Sequence, residues 1–293
     1  MLSRKAVIAG GLTAGAWWGY RHFYIASSHP VSARLASPFL SPSISYHHIN
    51  SPQHGQTIVD TLRRIPLLGV GYIEFDVRRT LDGTLVVWHD DHLPNGQKLH
   101  SATLAAYRSA ASNQAVTVAE LIAMLPSALK LHVDLKEQGY EQELITVLLQ
   151  TKSYDDFVVT SLEPDTIRTI KNLNPNIRCG LSLGQQLQGK KHALMLWVRL
   201  NEMFPTLRLR NCPADFLAVH HRLASVSVLR YCRKHNFPAW VWTVDDIKRM
   251  HSFFDCPEVE VVVTNQPTLA ITANPHQPPQ PNPAPTHSPN LFL

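Results

Sequence analysis

Short apolar runs alternate with amphipathic helical patterns through the middle of the chain. The runs that read as buried strands, rich in Val, Ile and Phe, are Ile44–His48, Tyr72–Val77, Leu85–His89, Leu131–Lys136, Phe157–Ser161, Arg178–Ser182, Phe216–Val219, Ala239–Val244 and Val259–Thr264. Apolar residues with the helical period of 3.6 fill the segments Thr57–Leu68, Val118–Leu125, Glu141–Thr151, Pro164–Leu173, Ser225–His235 and Asp246–Phe254. Thr117, with Glu120 three residues on, predicts a capping box at the start of the second of these helices.

Strands that alternate with helices favour parallel pairing in a βαβ series. Roughly eight such units predict an α/β fold, the (β/α)8 TIM barrel, whose active site lies at the carboxyl ends of its strands. A doubly wound open sheet is the alternative. No Gly-x-Gly-x-x-Gly follows a strand in this sequence, which weakens the nucleotide-binding form of that alternative.

Both ends of the chain differ in composition from the middle. Residues 1–26 hold Arg4-Lys5 and then a short apolar core, which predicts an uncleaved signal anchor or a signal peptide and therefore export. Residues 27–42 read as a Ser/Pro linker, 43–272 as the barrel, and 273–293 as a Pro-rich tail unable to pack a core. We expect the catalytic domain to be membrane-anchored or secreted, on the periplasmic or luminal side.

Composition narrows the classes of function. The 293 residues carry a formal net charge of +5, which fits attraction to phosphate groups or an anionic bilayer as well as an ordinary basic surface. No run of Lys and Arg and no nucleic-acid module stands out, so no nucleic-acid partner is expected. The 4 cysteines are widely spaced without a Cys-x-x-Cys pair, which argues against zinc and leaves one disulfide open.

Two acidic residues interrupt an apolar strand. Glu74 and Asp76 are spaced i, i+2, so both carboxylates lie on one face of the strand. Such a pair is costly to bury unless a cation lies between its members. A turn and the apolar run Leu85–Trp88 then lead to His89.

Other polar residues fall at the ends of predicted strands. His47 and His48 end the first strand, Asp134 and Lys136 share one face of a later strand, and Trp242 ends another. Taken singly, each has a structural reading: a solvated face, a loop histidine, an ion pair or a core tryptophan. Their combination at the ends of early strands favours a site instead.

The chemistry of this set indicates phosphodiester cleavage. Carboxylate oxygens are the ligands of hard divalent cations, so Mg²⁺ or Ca²⁺ is expected. Such an ion acts as a Lewis acid on a phosphoryl oxygen, and Lys136 adds positive charge where negative charge develops. His47 and His89 would serve as general base and general acid in turn.

These motifs resemble the glycerophosphodiester phosphodiesterase family, whose run is His-Arg-Gly, Glu-x-Asp-Val, Thr-x-Asp-Gly, Val-x-x-His-Asp, Glu-x-Lys, Trp-Thr-Val-Asn and Thr-Asp-x-Pro. The corresponding segments here are His47-His48-Ile49, Glu74-Phe75-Asp76-Val77, Thr80-Leu81-Asp82-Gly83, Val86-Val87-Trp88-His89-Asp90, Asp134-Leu135-Lys136, Trp242-Thr243-Val244-Asp245 and Thr264-Asn265-Gln266-Pro267. The resemblance implies a TIM barrel with a bound divalent cation. It makes His47 and His89 the catalytic pair, Glu74, Asp76 and Asp134 metal ligands, and His48, Lys136 and Trp242 substrate contacts.

Three departures separate the chain from the family pattern. His48 replaces the phosphate-gripping Arg, the Glu-Asn-Thr segment has only Gln56-Thr57 as its nearest trace, and Asp134 replaces Glu. Asp-x-Lys, Trp-Thr-Val-Asp, Thr-Asn-x-Pro and His47-His48-Ile49-Asn50 also resemble a related phospholipase D of the sphingomyelinase type, although its Cys-rich loop after His89 is absent.

The resemblance implies hydrolysis of a glycerophosphodiester to an alcohol and glycerol phosphate, with the N-terminal segment at a membrane. Two alternatives remain. One is a phospholipase D-like enzyme that acts on lysophospholipids or sphingolipids and forms a cyclic phosphate. The other is a catalytically weak barrel that binds phosphodiesters or lipid head groups.

Overall fold

A nine-stranded sheet that closes on itself forms the centre of the molecule. The computed structural model describes residues 42–47, 61–62, 69–184, 192–210 and 212–275. Within them the strands are β1 (Ser43–Tyr46), β2 (Tyr72–Arg79), β3 (Leu85–Val87), β4 (Lys130–Leu135), β5 (Phe157–Ser161), β6 (Arg178–Leu183), β7 (Phe216–His220), β8 (Ala239–Trp242) and β9 (Val259–Thr264). All except β3 run parallel, in the order β1-β9-β8-β7-β6-β5-β4-β2, and β1 also pairs with β2 to close the ring. The predicted (β/α)8 barrel is confirmed.

Helices follow most of the barrel strands. They are α1 (Leu104–Ala111), α2 (Val118–Met124), α3 (Glu141–Leu149), α4 (Pro164–Leu173), α5 (His192–Met203), α6 (Pro205–Leu209), α7 (His221–Leu223), α8 (Leu229–His235), α9 (Ile247–Phe254) and α10 (Pro267–Ala273). A π-helical turn, Ala224–Val228, joins α7 to α8. The capping box predicted for α2 is present: the Thr117 side chain accepts from the Glu120 N–H, and the Glu120 carboxylate accepts from the Thr117 N–H. Such a cap stabilises a helix by about 1 kcal/mol.

Alternation along the strands sorts residues into a barrel interior and an outer shell. The interior cluster is Val158, Phe216, Ala218, Trp240, Val261 and Val263. Trp240 is fully buried and stacks on Phe216, with ring centroids 4.6 Å apart. Towards the carboxyl ends of the strands, the inward-facing residues change from apolar to polar. The interior apolar cluster therefore forms the floor of a polar cavity.

Residues 80–117 form an arm outside the barrel. Its strand β3 pairs antiparallel with β2, with Val87 opposite Val77. Its own apolar cluster consists of Val86, Leu93, Leu99, Ala102, Tyr107 and Ala111. The Tyr107 hydroxyl donates to the Val87 carbonyl at 3.0 Å and accepts from the Val116 N–H at 3.1 Å, which ties the helix Leu104–Ala111 to β3 and to the last residues of the arm.

Some sequence predictions concern residues outside the described ranges. Outside the described ranges lie the leader (1–26), most of the linker and all but the first residues of the tail. Most of the predicted helix Thr57–Leu68 lies outside them too, and its two described residues, 61–62, are helical and buried. Those boundaries stay predictions. Among the described helices, none is long and apolar enough to cross a bilayer. The four cysteines, all described, are free thiols.

Candidate active site

The carboxylates of β2 and β4 meet beside one lysine at the carboxyl end of the barrel. Register places Asp76 opposite Asp134, because β2 and β4 are parallel neighbours. The Lys136 ammonium lies 2.7 Å from Asp76 Oδ1 and 2.7 Å from Asp134 Oδ2. Burial alone would lower the pKa of Lys136, but the nearby carboxylates of Asp134, Asp76 and Glu74 outweigh it and raise that pKa. Three carboxylates therefore lie close to one ammonium.

That charge and donor set suits a divalent cation. Glu74 and Asp76 are buried, and carboxylate oxygens are what a hard ion such as Mg²⁺ or Ca²⁺ takes as ligands. As the side chains stand, no three His, Cys, Asp or Glu residues of the described chain are grouped closely enough to hold one ion. The contacts of Lys136 explain this arrangement: its ammonium occupies the space between two of the three carboxylates, so a cation would compete with it there.

His47 is oriented by a chain of hydrogen bonds from two later strands. Asp245, after β8, accepts from the Thr264 hydroxyl at 2.9 Å, the Asn265 N–H at 2.8 Å and the Asn265 side-chain amide at 2.8 Å. The amide nitrogen of Asn265 thus faces Asp245, so its oxygen faces His47 Nδ1 at 2.8 Å. An amide oxygen only accepts, which requires the proton on Nδ1 and leaves a lone pair on Nε2.

The second ring nitrogen of His47, Nε2, faces Glu74. Nε2 lies 4.0 Å from Glu74 Oε2. Burial lowers the pKa of His47, and the Asn265 hydrogen bond and the Asp76 charge counteract this only in part. A neutral imidazole with Nε2 unprotonated is the form that a general base requires.

A second histidine supports Asp134 from below. The Thr160 hydroxyl donates to Asp134 Oδ1 at 2.7 Å and lies 3.1 Å from His132 Nε2. The Thr160 hydroxyl uses its one hydrogen in the bond to Asp134, so its bond to His132 is donated by His132 Nε2–H. His132 Nδ1 then faces the Ser45 hydroxyl at 3.3 Å. Burial lowers the pKa of His132 to about 4, in agreement with a neutral ring. Asp134 is thereby fixed although its side chain is one methylene shorter than Glu.

His89 comes from the arm rather than from a barrel strand. Its backbone carbonyl accepts from Arg78 Nε at 2.9 Å, and Arg78 also pairs with Glu137. The side chain is 42% exposed, and Nδ1 lies 2.7 Å from Asp90 Oδ1. His89 lines the same cavity as His47.

The cavity measures about 690 Å³, and residues of later strands and helices form a second wall that differs in charge from the carboxylate wall. Ser182 and Gly184 lie at the end of β6, His220 at the end of β7 and Trp242 at the end of β8, and all line the cavity. Arg199 of α5 and Arg222 of α7 line it as well. Within the described residues, this wall carries arginines where the first wall carries carboxylates.

The structure brings most of the residues predicted from sequence into this one cavity: His47, His89, Glu74, Asp76, Asp134, Lys136 and Trp242 all line it. His48 lies outside the described residues, so its predicted role as a phosphate contact stays a prediction. Lys136 and Asp134 do form an ion pair, as the structural reading of the pair expected, and the pair lies inside the cavity.

Sequence reasoning missed several residues of the site. Arg78 continues the i, i+2 pattern of Glu74 and Asp76, so its position was available from the sequence. His220 was also recognisable, as the polar residue just after an apolar strand. Arg199 lies on a helix that carried no motif, and the pairing of Asp245 with Asn265 had no sequence signal beyond their motifs.

Comparisons with known proteins agree on one family. The model of the glycerophosphoryl diester phosphodiesterase family matches residues 67–269. A Mycobacterium tuberculosis protein named probable glycerophosphodiester phosphodiesterase 2 is 24% identical over 219 residues, which is 69% of this chain and 78% of that protein.

Solved structures with similar folds carry related names. A glycerophosphodiester phosphodiesterase from Parabacteroides distasonis has a TM-score of 0.63 at 18% identity, over 79% of this chain and 96% of that one. An Oleispira antarctica phosphodiesterase, solved in complex with the product sn-glycerol-3-phosphate, has a TM-score of 0.61 at 20% identity, over 80% of this chain and 96% of that one. At these identities the two likenesses establish the shared fold.

Proposed function

The chain belongs to the glycerophosphoryl diester phosphodiesterase family, and we propose that it hydrolyses glycerophosphodiesters to an alcohol and glycerol phosphate with a divalent cation and two histidines. The observation that carries this proposal is the orientation of His47. The Asp245–Asn265 hydrogen bonds place the proton on Nδ1 and turn Nε2 towards Glu74, in the same cavity as His89.

Glu74, Asp76 and Asp134 would hold the cation. Their oxygen donors and their position in one cavity support a hard divalent ion, Mg²⁺ or Ca²⁺. When bound, such an ion polarises a phosphoryl oxygen as a Lewis acid. Lys136, beside two of these carboxylates, is positioned to bind another phosphoryl oxygen and to stabilise its developing charge.

The two histidines divide the proton transfers. His47 is neutral, with Nε2 unprotonated, so it takes the proton from the attacking water. His89 lies at the exposed mouth of the cavity beside the Asp90 carboxylate, and it gives a proton to the leaving alkoxide. A phosphorus–oxygen bond to the water oxygen forms while the bond to the leaving alkoxide oxygen breaks; His47 then releases its proton to solvent and His89 takes one up, which restores the starting state.

A matched pair of histidine variants tests this division. His92 also places Nδ1 against a neighbouring carboxylate, at 2.6 Å from Asp91 Oδ1, and is similarly exposed, but it does not line the cavity. We expect His89→Ala to lower kcat on glycerophosphoethanolamine by about 10²–10⁴-fold, and His92→Ala to stay within about 2-fold of the parent. Equal activities for these two variants would contradict the assignment of His89.

The cation is tested with the same substrate. Turnover should be lost in excess EDTA and should return with Mg²⁺ or Ca²⁺, and activity that persists in the chelator contradicts the proposed ligand set. Phosphorus NMR of the products identifies the nucleophile. A phosphomonoester indicates water, whereas a cyclic phosphate indicates internal hydroxyl attack as in the phospholipase D-like alternative.

We also propose that the barrel is exported and held at a membrane by residues 1–26, on the basis of their basic start and apolar core. A protease added to intact cells or spheroplasts should then degrade the barrel, and the protein should remain with membranes after alkaline extraction. Protection from the protease would contradict export. Release by alkaline extraction would indicate that the leader is cleaved.

A further inference from the structure

Arg78 joins the segment that carries His89 to the end of a barrel strand. Its Nε–H donates to the His89 carbonyl at 2.9 Å, and its Nη1 pairs with the Glu137 carboxylate. Glu137 comes directly after Lys136, whose N–H donates to the Val77 carbonyl at 3.2 Å. One guanidinium therefore connects the arm, β2 and the loop that follows β4.

The orientation of the Arg78 side chain is fixed by its strand and by its ion pair. Arg78 is spaced i, i+2 from Asp76 on β2, so the two side chains share one face of the strand. The Arg78 side chain is only 12% exposed. A largely buried guanidinium needs an anionic partner, and its planar set of donors is held in one orientation once Glu137 takes one of them.

His89 lies beyond the end of the sheet, where its backbone needs other support. β3 ends two residues before it, and residues 89–91 form a bend. Just before the bend, the Trp88 N–H donates to the Asp76 carbonyl at 3.1 Å. Within the bend, Arg78 holds the carbonyl of His89 itself. Because the imidazole is 42% exposed, the position of this backbone largely decides which part of the cavity the ring reaches.

We propose that Arg78 is a positioning residue, which fixes the backbone of His89 so that the imidazole reaches the leaving-group oxygen of the substrate. This rests on the proposed function, in which His89 protonates the leaving alkoxide. Arg78 acts through His89 and transfers no proton itself, because a guanidinium stays protonated in proteins. A displacement of a catalytic group by about 1 Å can lower a rate by about 100-fold, so the loss of this one hydrogen bond is sufficient to slow the reaction.

Two substrates with different leaving groups isolate the protonation step. Glycerophosphoethanolamine releases an alkoxide, which needs a proton as it departs, whereas the 4-nitrophenyl diester of glycerol phosphate releases a stabilised phenolate, which does not. We expect Arg78→Met to lower kcat/KM on the first substrate by about 10-fold to 100-fold. On the second it should stay within about 2-fold of the parent, which also shows that the variant is folded. His89→Ala should show the same selectivity with a larger loss.

Two further variants assign the effect to the contacts of Arg78. Arg79→Met is the matched control, because the guanidinium of this neighbouring arginine pairs with exposed Glu143 and donates to the Gly139 carbonyl, on the other face of β2. It should leave kcat/KM on both substrates within about 2-fold of the parent. Glu137→Gln removes the charge that orients Arg78 without altering the arm, so it should give a smaller loss with the same selectivity for the alkoxide substrate.

A double-mutant cycle separates this inference from the proposed function. In a His89→Ala background, Arg78→Met should change kcat/KM on glycerophosphoethanolamine by less than about 2-fold, because the group through which Arg78 acts is already absent. A further loss in that background, or an equal loss on both substrates in the single variant, overturns the inference and leaves the phosphodiesterase intact. If the parent hydrolyses neither substrate, or if His89→Ala slows both equally, the proposed function itself fails.

Discussion

Asp245 reaches His47 through the side chain of Asn265, and Asp245→Asn tests whether this chain of hydrogen bonds sets the tautomer of His47. An amide at position 245 can still accept from the Thr264 hydroxyl and the Asn265 N–H through its oxygen, but its nitrogen then faces the Asn265 nitrogen. Two opposed donors are unfavourable. Rotation of the Asn265 amide relieves them and turns its nitrogen towards His47 Nδ1.

The size of the effect follows from the hydrogen bonds involved. When the Asn265 nitrogen faces Nδ1, the proton of His47 must move to Nε2, and the ring can no longer accept a proton there. The tautomer with the proton on Nδ1 persists only if two donors stay opposed, either at positions 245 and 265 or at Asn265 and His47. Asp245 is exposed and Asn265 is half-buried, so the opposed donors cost about 1 kcal/mol, the lower end of the range for an unsatisfied polar group, and the population able to act as a base falls about 5-fold. We expect kcat/KM to fall by about this factor, with an unchanged melting temperature within a few degrees.

Exchanging both residues restores the alternation of donor and acceptor. In Asp245→Asn/Asn265→Asp, the new carboxylate accepts from His47 Nδ1 at the original 2.8 Å. Coulomb's law at that distance gives about 1.5 kcal/mol in bulk water and about 6 kcal/mol at an effective dielectric constant of 20. Even the lower figure is about a tenfold change in the protonation equilibrium, so the pKa of His47 rises.

The assay is kcat/KM on glycerophosphoethanolamine from pH 5 to 9, together with the melting temperature. The double variant should recover most of the activity lost in Asp245→Asn at pH 8. Its acidic limb should lie at higher pH than in the parent, because a base of raised pKa is protonated over a wider acidic range. If Asp245→Asn keeps more than half of the parent activity, or if the second change rescues nothing in a folded protein, the reasoning is refuted.

Three further changes probe the remainder of the site. Lys136→Met leaves Asp76 and Asp134 without their shared ammonium, so in EDTA the free energy of unfolding should fall by about 3–5 kcal/mol. In denaturant unfolding, added Mg²⁺ or Ca²⁺ should restore part of this loss. Equal stability of the variant with and without the ion would contradict the cation site. Thr160→Val removes the donor to Asp134 and the acceptor of His132, so the cation affinity measured by calorimetry should fall about 10-fold to 100-fold. Thr146→Val, on an exposed helix face, is the control and should leave that affinity unchanged. Gly184→Ala should raise KM and destabilise the fold because of its 2.3 Å contact with His220, whereas Gly139→Ala, with φ +94° and nothing within 4 Å of the added methyl group, should show only the backbone strain.

Local patterns in the sequence predicted what depends on neighbouring residues. Period-2 alternation placed Glu74 and Asp76 on one face, and the parallel βαβ series placed their strand ends at one rim of the barrel. The first helix of the arm, Leu104–Ala111, escaped prediction because its buried residues are Tyr107 and Ala111, and no large aliphatic residue is buried with them. The hydrogen bond between His47 and Asn265 spans 218 positions. No local pattern specifies such a contact, which arises only when β1 and β9 become neighbours as the barrel closes.

His89 follows β3, in the arm outside the barrel, and this position affects how the enzyme loses activity on heating. His47 depends on barrel closure, while His89 depends on the arm and on its separate apolar cluster around Tyr107. A substitution such as Tyr107→Phe, which leaves the Val116 N–H without its hydroxyl acceptor, would loosen the arm before it loosens the barrel. We therefore expect such a variant to lose activity at a lower temperature than the one at which the barrel unfolds, because a folded barrel would lack one of the two proposed proton-transfer groups.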